Sequence, residues 1–166
     1  MSAADWPNDG SDIISSPERL EPLALLLIED SPADSRLLQE HLREPILRGE
    51  VMLQVVRRLS DAAQALHRMK YSCVLVDLGL PACPGVSAIE ALRHVDPDVA
   101  MIVLTGHDSD DLAQQTMQLG VQDYVVKGRY DAGLLLRRIR FAVQHHRQLA
   151  QLNAAKAESF ASVSQD

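Results

Sequence analysis

A chain of 166 residues, 46% hydrophobic and 23% charged, has ordinary globular composition and is long enough for one domain with a real core and some added segment. Its net charge of −7 argues against a surface given over to nucleic acid, and its two cysteines, Cys73 and Cys83, are too few for a disulfide framework and lack zinc-ligand spacing. No apolar run approaches membrane-spanning length and no basic-then-apolar segment opens the chain, so a reduced cytoplasmic setting without a membrane is expected.

Residues 1–22 carry Asp5, Asp9, Asp12, Glu18 and Glu21 against Arg19 alone, among Ser, Gly and Pro without periodicity, and read as a flexible acidic leader. From Leu23 the pattern alternates. "LALLLIE" reads as a strand, and "SPADSRLLQEHL" as a helix with Ser31 at the N-cap and Pro32 at the first helical position. "VMLQVV" is a strand and "SDAAQALHRM" a helix opened by Ser60. The apolar run from Cys73 to Val76 ends in a bare carboxylate, Asp77, and breaks at once into "LGLPACPG", as a strand buried on both faces does at its carboxyl end. A helix from about Val86 to His94 is closed by "DPD"; "VAMIVLT" is a fourth strand ending at Thr105. "SDDLAQQTMQL" is a helix with Gly120 at its C-terminal cap, "DYVV" a short fifth strand before Lys127, and a last helix starts near Asp131.

Five repeats of strand then helix with short links predict a doubly wound α/β fold with a parallel sheet, most simply the flavodoxin-like order 2-1-3-4-5. Such sheets place their site beyond the carboxyl ends of the strands. The residues there are Glu29 and Asp30, Asp77, Thr105 and Lys127, whereas the second strand ends in Arg57 and Arg58 and is expected to add nothing. One strand-end Asp can simply cap a loop. Three carboxylates converging in one cleft with a hydroxyl and an ammonium repel one another; protonation or a bound divalent cation would relieve this, and Mg²⁺ is the natural cation for such a set. With that charge neutralised, Asp77 can act as a carboxylate nucleophile toward a phosphoryl group, paired by Lys127 and hydrogen-bonded by Thr105.

The motifs "LLLIEDSPAD", "VLVDLGLPACPG", "MIVLTG" and "DYVVKG", in this order, resemble a receiver domain of a two-component response regulator from about residue 23 to 144. The resemblance implies that Asp77 takes a phosphoryl group from a phosphohistidine of a sensor histidine kinase or phosphotransfer protein. It implies that Asp30 binds Mg²⁺ directly, that Glu29 acts mostly through water, and that the backbone carbonyl of Gly79 completes the metal site. Thr105 and Tyr124 fall on the family's switch pair, and His107 lies at a position that tunes acyl-phosphate hydrolysis. A receiver is a regulatory phosphoacceptor and not a turnover enzyme. The family usually has Pro after the Lys; Gly128 stands here, so no cis bond is expected.

A haloacid-dehalogenase-type phosphatase would need a second Asp where Gly79 stands, and a flavin binder would not place "EDSPAD" around a phosphate. The helix from about Asp131 runs on well past a receiver's usual end, so residues 145–166 read as a helical extension. Leu135, Ile139, Ala142, His146, Leu149 and Asn153 follow alternating four and three spacing, a heptad seam predicting a homodimer held by Leu135 to Leu149. The final "SFASVSQD" faintly resembles the start of a histidine-kinase dimerisation helix with Gln165 in place of its His, which fits the receiver part of a longer protein.

Overall fold

The strands at the centre of the molecule explain its order. In the computed structural model, which describes residues 21–163, β3 (Cys73–Asp77) and β4 (Ala100–Thr105) are buried along their whole length, and β1 (Leu23–Ile28) is nearly so. Strands buried on both faces must be covered by helices on both, and parallel pairing through helical crossovers supplies them. The edge strands β2 (Val51–Val56) and β5 (Asp123–Val126) are only partly buried. All pairs are parallel and the order is β2-β1-β3-β4-β5, the flavodoxin-like arrangement expected from the sequence.

Alternate side chains supply two cores, following the period of two along a strand. Ile28, Val76 and Val103 pack with Ala62 and Leu66 of α3 (Leu59–Arg68) and Ile89 of α4 (Ser87–Val95). On the other face, Leu27, Leu75 and Leu104 pack with Leu38 of α1 (Pro32–His41) and with Leu135 and Ile139 at the start of the last helix. Between these come the short α2 (Arg43–Leu47) and α5 (Asp110–Gln118); the last helix is α6 (Ala132–Val163). Among the described residues no helix is long and apolar enough to cross a membrane.

Local signals held in most places. Ser31 caps α1 by accepting from the Asp34 N–H at 3.3 Å with Pro32 inside the first turn, Ser109 caps α5, and Gly120 follows α5 at φ +79°. Ser60, however, does not open α3. That helix begins at Leu59 after an extended Arg58, with no side-chain cap, while Asp61 in its first turn pairs with Arg58 Nε at 3.3 Å. The helix α2 was not expected; Pro45 has no N–H to give the His41 carbonyl, so α1 stops and a second short helix restarts.

The largest correction concerns α6. Leu135 and Ile139 are fully buried and Ala142 nearly so, all inside this domain's own core, so the first half of the expected heptad seam is not available to another chain. His146 also docks at home. Its Nδ1 faces the Gln122 amide nitrogen at 3.2 Å and its Nε2 contacts the Asp98 carbonyl, while Gln122 Oε1 accepts from the Met101 N–H at 2.7 Å. From Arg147 to Val163 every residue is exposed. Most of the leader and the Gln165 resemblance lie outside the described residues; within them, Glu21 meets Arg147 at 3.3 Å.

Truncating the two kinds of seam residue separates these roles. Leu135→Ala is expected to lower unfolding free energy by about 2–5 kcal/mol in denaturant melts, and Leu149→Ala by less than about 0.5. Equal losses would place Leu135 outside the core.

Candidate functional site

Register brings the strand ends to one level. Ile28 pairs with Val76, Asp77 with Leu104 and Thr105 with Val126, so the residues just past these strands line up at the carboxyl edge, where the chain order reverses between β1 and β3. Glu29 and Asp77 are buried there and Asp30 is half-buried; each offers a carboxylate oxygen within 4.8 Å of the others.

Lys127 reaches in from the end of β5. Its ammonium Nζ lies 2.6 Å from Glu29 Oε2, 2.9 Å from Asp34 Oδ2 and 3.1 Å from Asp77 Oδ2. The second oxygen of Asp77, Oδ1, accepts from the Gly79 N–H at 3.0 Å. A Cβ at position 79 would stand 3.4 Å from that same oxygen, an ordinary van der Waals contact, so the closing of the loop on the carboxylate does not itself require glycine. Gly128 follows at φ +81°, a conformation Pro cannot take, and no described peptide bond is cis.

Glu29 and Lys127, paired across the cleft, both carry shifted protonation equilibria. Burial, helped by Asp77, pushes the Glu29 carboxyl up to about 7, against the pull of Lys127 and of the Ser31 N–H. Burial disfavours the Lys127 ammonium, but its bonds to Glu29 and Asp34 and the charge of Asp77 outweigh that and hold it above its ordinary value.

Thr105 is buried beside this cluster. Its hydroxyl oxygen accepts from the His107 N–H at 3.1 Å, the Tyr124 hydroxyl donates to the His107 carbonyl at 2.7 Å, and the Lys127 N–H donates to the Thr105 carbonyl at 2.8 Å. The structure thus brings together Glu29, Asp30, Asp77, Gly79, Lys127 and Thr105, and ties Tyr124 to Thr105 through His107. Asp34 was missed by sequence reasoning. An acidic residue in a helix's first turn is ordinarily read as a partner of the helix dipole, which hid its contact with Lys127. The second strand also contributes more than expected: Arg57 and Arg58 share with Asp30, Pro81 and Cys83 the wall of an open groove of about 820 Å³.

A clamped aspartate in an acidic cleft at the carboxyl edge of a five-stranded flavodoxin-like sheet defines a class of α/β signalling module. The chain belongs to the response regulator receiver domain family, whose description matches residues 25–140, and so to the proteins of phosphorylation-dependent two-component signalling. It is 29% identical over 101 residues to the regulatory protein LuxO of Vibrio cholerae, a match covering 61% of this chain and 21% of LuxO. The chain thus spans about a fifth of that relative. It is also 29% identical over 123 residues to the response regulator Rcp1 of Synechocystis, covering 69% of this chain and 82% of Rcp1. Among solved structures, the receiver domain of the sensor histidine kinase PA1611 of Pseudomonas aeruginosa has the same fold, with a TM-score of 0.63 at 24% identity over 74% of this chain and 98% of that one. That structure is described with a magnesium ion coordinated in its active-site cleft.

Removing Lys127 tests the electrostatics. In Lys127→Met the Glu29 carboxyl loses the bond that favours its charge, so the folded state holds its proton more tightly than the unfolded chain does. Above about pH 4.5 the unfolded chain releases that proton first, and both proteins lose stability alike until about pH 7, where the wild type releases it as well and the variant goes on losing stability. The gap should be constant from about pH 4.5 to about pH 6.5 and widen by roughly 1 kcal/mol by pH 8. Urea melts showing a gap independent of pH would refute this account.

Proposed function

We propose that Asp77 accepts a phosphoryl group from the phosphohistidine of a sensor histidine kinase or phosphotransfer protein, with Mg²⁺ held by Asp30, Asp77 and the Gly79 carbonyl, and by Glu29 through water. The observation that carries this reading is the setting of Asp77: buried at the strand end, Oδ1 on the Gly79 N–H, Oδ2 on Lys127, and carboxylates of Glu29 and Asp30 within reach of one shared ion. An all-oxygen donor set fits Mg²⁺, which when bound offsets the mutual repulsion of the carboxylates and of an incoming phosphoryl group. A water-mediated part for Glu29 agrees with its oxygens being engaged by Lys127 and the Ser31 N–H.

In the transfer, an Asp77 oxygen bonds to phosphorus while the bond from phosphorus to the donor imidazole nitrogen breaks, the electron pair leaving with the imidazole. Lys127 pairs with a phosphoryl oxygen, and Thr105 turns its hydroxyl from His107 toward another. The Tyr124 hydroxyl, which shares His107 with Thr105, follows inward as the switch. The chain acts as a regulatory phosphoacceptor, not as a turnover phosphatase, because Gly79 supplies no acid. A reduced cytoplasmic setting belongs to the same reading, with Cys73 buried and its thiol pushed up to about 12.

We place the receiver at residues 23–144 and the extension at 145–166, and assign the extension a homodimer contact with a second copy of this chain. What supports it is the set of exposed apolar side chains Leu149, Leu152, Phe160 and Val163 on a helix of 32 residues. A helix of this kind is marginal alone in water and gains from a partner.

With acetyl phosphate and Mg²⁺, intact-mass spectrometry should find one added phosphoryl group on the wild type and none on Asp77→Asn. Equal labelling would sink the assignment of Asp77. For the extension, sedimentation should give a dimer that Leu149→Lys with Leu152→Lys converts to monomer, and a monomeric wild type with or without beryllofluoride would remove the dimer.

A further inference from the structure

Three N–H groups leave the Lys127 ammonium, and three carboxylate oxygens lie within 3.1 Å of it, on Glu29, Asp34 and Asp77. Two of those N–H groups donate to Glu29 and Asp34, and the ammonium also makes an ion pair with Asp77. A phosphoryl oxygen on Asp77 takes over the contact with Asp77, and drawing the ammonium fully onto it pulls against its hydrogen bonds to Glu29 and Asp34. Glu29 is 2% exposed, and its oxygen released into the interior would be left without a partner. Asp34 is 46% exposed on the first turn of α1, where water takes the place of the lost bond.

We propose that Asp34 is a positioning residue that acts through Lys127: it holds the ammonium toward α1 in the unphosphorylated chain and releases it to the phosphoryl group. This inference rests on the phosphoacceptor reading of Asp77 and goes beyond it by assigning a role to a residue outside the strand-end set. The contact joins the loop after β5 to the first turn of α1, so its release also unties those two elements from each other. The Asp34 side chain can be altered without touching the cap of α1, because Ser31 accepts from the Asp34 backbone N–H.

Beryllofluoride with Mg²⁺, a mimic of the phosphoryl group, supplies the test by titration of tryptophan-independent signals such as heat of binding. Asp34→Asn should bind it about two- to fivefold more tightly than the wild type, the size expected for removing an exposed competing ion pair. Asp34→Glu should restore the wild-type affinity, because it restores a carboxylate at the same turn. In the Lys127→Met background Asp34→Asn should change nothing, since the effect runs through the ammonium. Unchanged or weaker binding by Asp34→Asn, an Asp34→Glu value equal to that of Asp34→Asn, or a gain that persists without Lys127 would each overturn the proposal. Should Lys127→Met bind too weakly to measure, the Asp34→Glu comparison decides. If the wild type fails to bind the mimic, or binds it equally after Asp77→Asn, the phosphoacceptor reading itself fails, which is a separate result.

Discussion

Several carboxylates at one end of a sheet, two of them buried, are a standing electrostatic strain, and Lys127 is the group that relieves it. An ionised carboxylate removed from water without a partner costs several kcal/mol, so Glu29 and Asp77 can stay ionised in place only with a cation against them. Everything near the site serves that contact. The parallel register sets the strand ends level, β5 delivers Lys127 to them, and Gly128 lets the chain turn away immediately afterwards. Burial, with Asp77 beside it, still pushes the Glu29 carboxyl up to about 7 against the pull of the ammonium. The three carboxylates within reach of one point are what suit the cleft to a further cation.

The same lysine is the first link of a continuous path toward α6. Its backbone N–H meets the Thr105 carbonyl, Thr105 meets His107, and Tyr124 meets His107 from the other side. Arg138 on α6 then holds both oxygens of Asp123, at 2.7 and 2.8 Å, and reaches the Tyr124 carbonyl at 3.2 Å. The fork geometry of a guanidinium makes this last junction rigid. In the proposed switch, a displaced Thr105 hydroxyl would give up its bond from the His107 N–H, and His107 is also the residue whose carbonyl holds the Tyr124 hydroxyl. Contiguity of this kind is what a switch needs in order to move one helix from a change at a strand end.

Most of the fold could be read from the sequence because burial writes itself as periodicity. Strands β1, β3 and β4 are near-continuous apolar runs ended by acids or a hydroxyl, and Ser31, Ser109 and Gly120 mark helix ends by the backbone chemistry they provide. The strand-end residues Glu29, Asp77, Thr105 and Lys127 followed from topology alone. What could not be read depends on contacts between distant segments. Asp34 lies 93 positions from Lys127, and its role is invisible in a helix whose first turn favours any acid. Arg57 and Arg58 are exposed charges at an edge, and nothing local shows that they stand beside Asp30 across a groove. Ser60 lost the N-cap position to an extended Arg58 because the turn after β2 is set by where α3 must lie on the sheet.

The misread seam on α6 has a more general cause. Apolar residues spaced by four and three mark one face of a helix, but spacing does not say what covers the face; Leu135, Ile139 and Ala142 satisfy a heptad and are covered by their own sheet. Beyond His146 the exposed apolar pattern changes period. Leu149 and Leu152 recur as Phe160 and Val163 eleven residues later, on a stripe rotated by roughly 70° from the docked face at 3.6 residues per turn. An eleven-residue recurrence is close to the natural helix and favours straight or slightly right-handed pairing, where a heptad imposes a left-handed supercoil. The docked and the exposed parts of α6 therefore follow different spacings on one continuous helix. The polar junction at His146, held by Gln122 and the Asp98 carbonyl, is where one spacing gives way to the other.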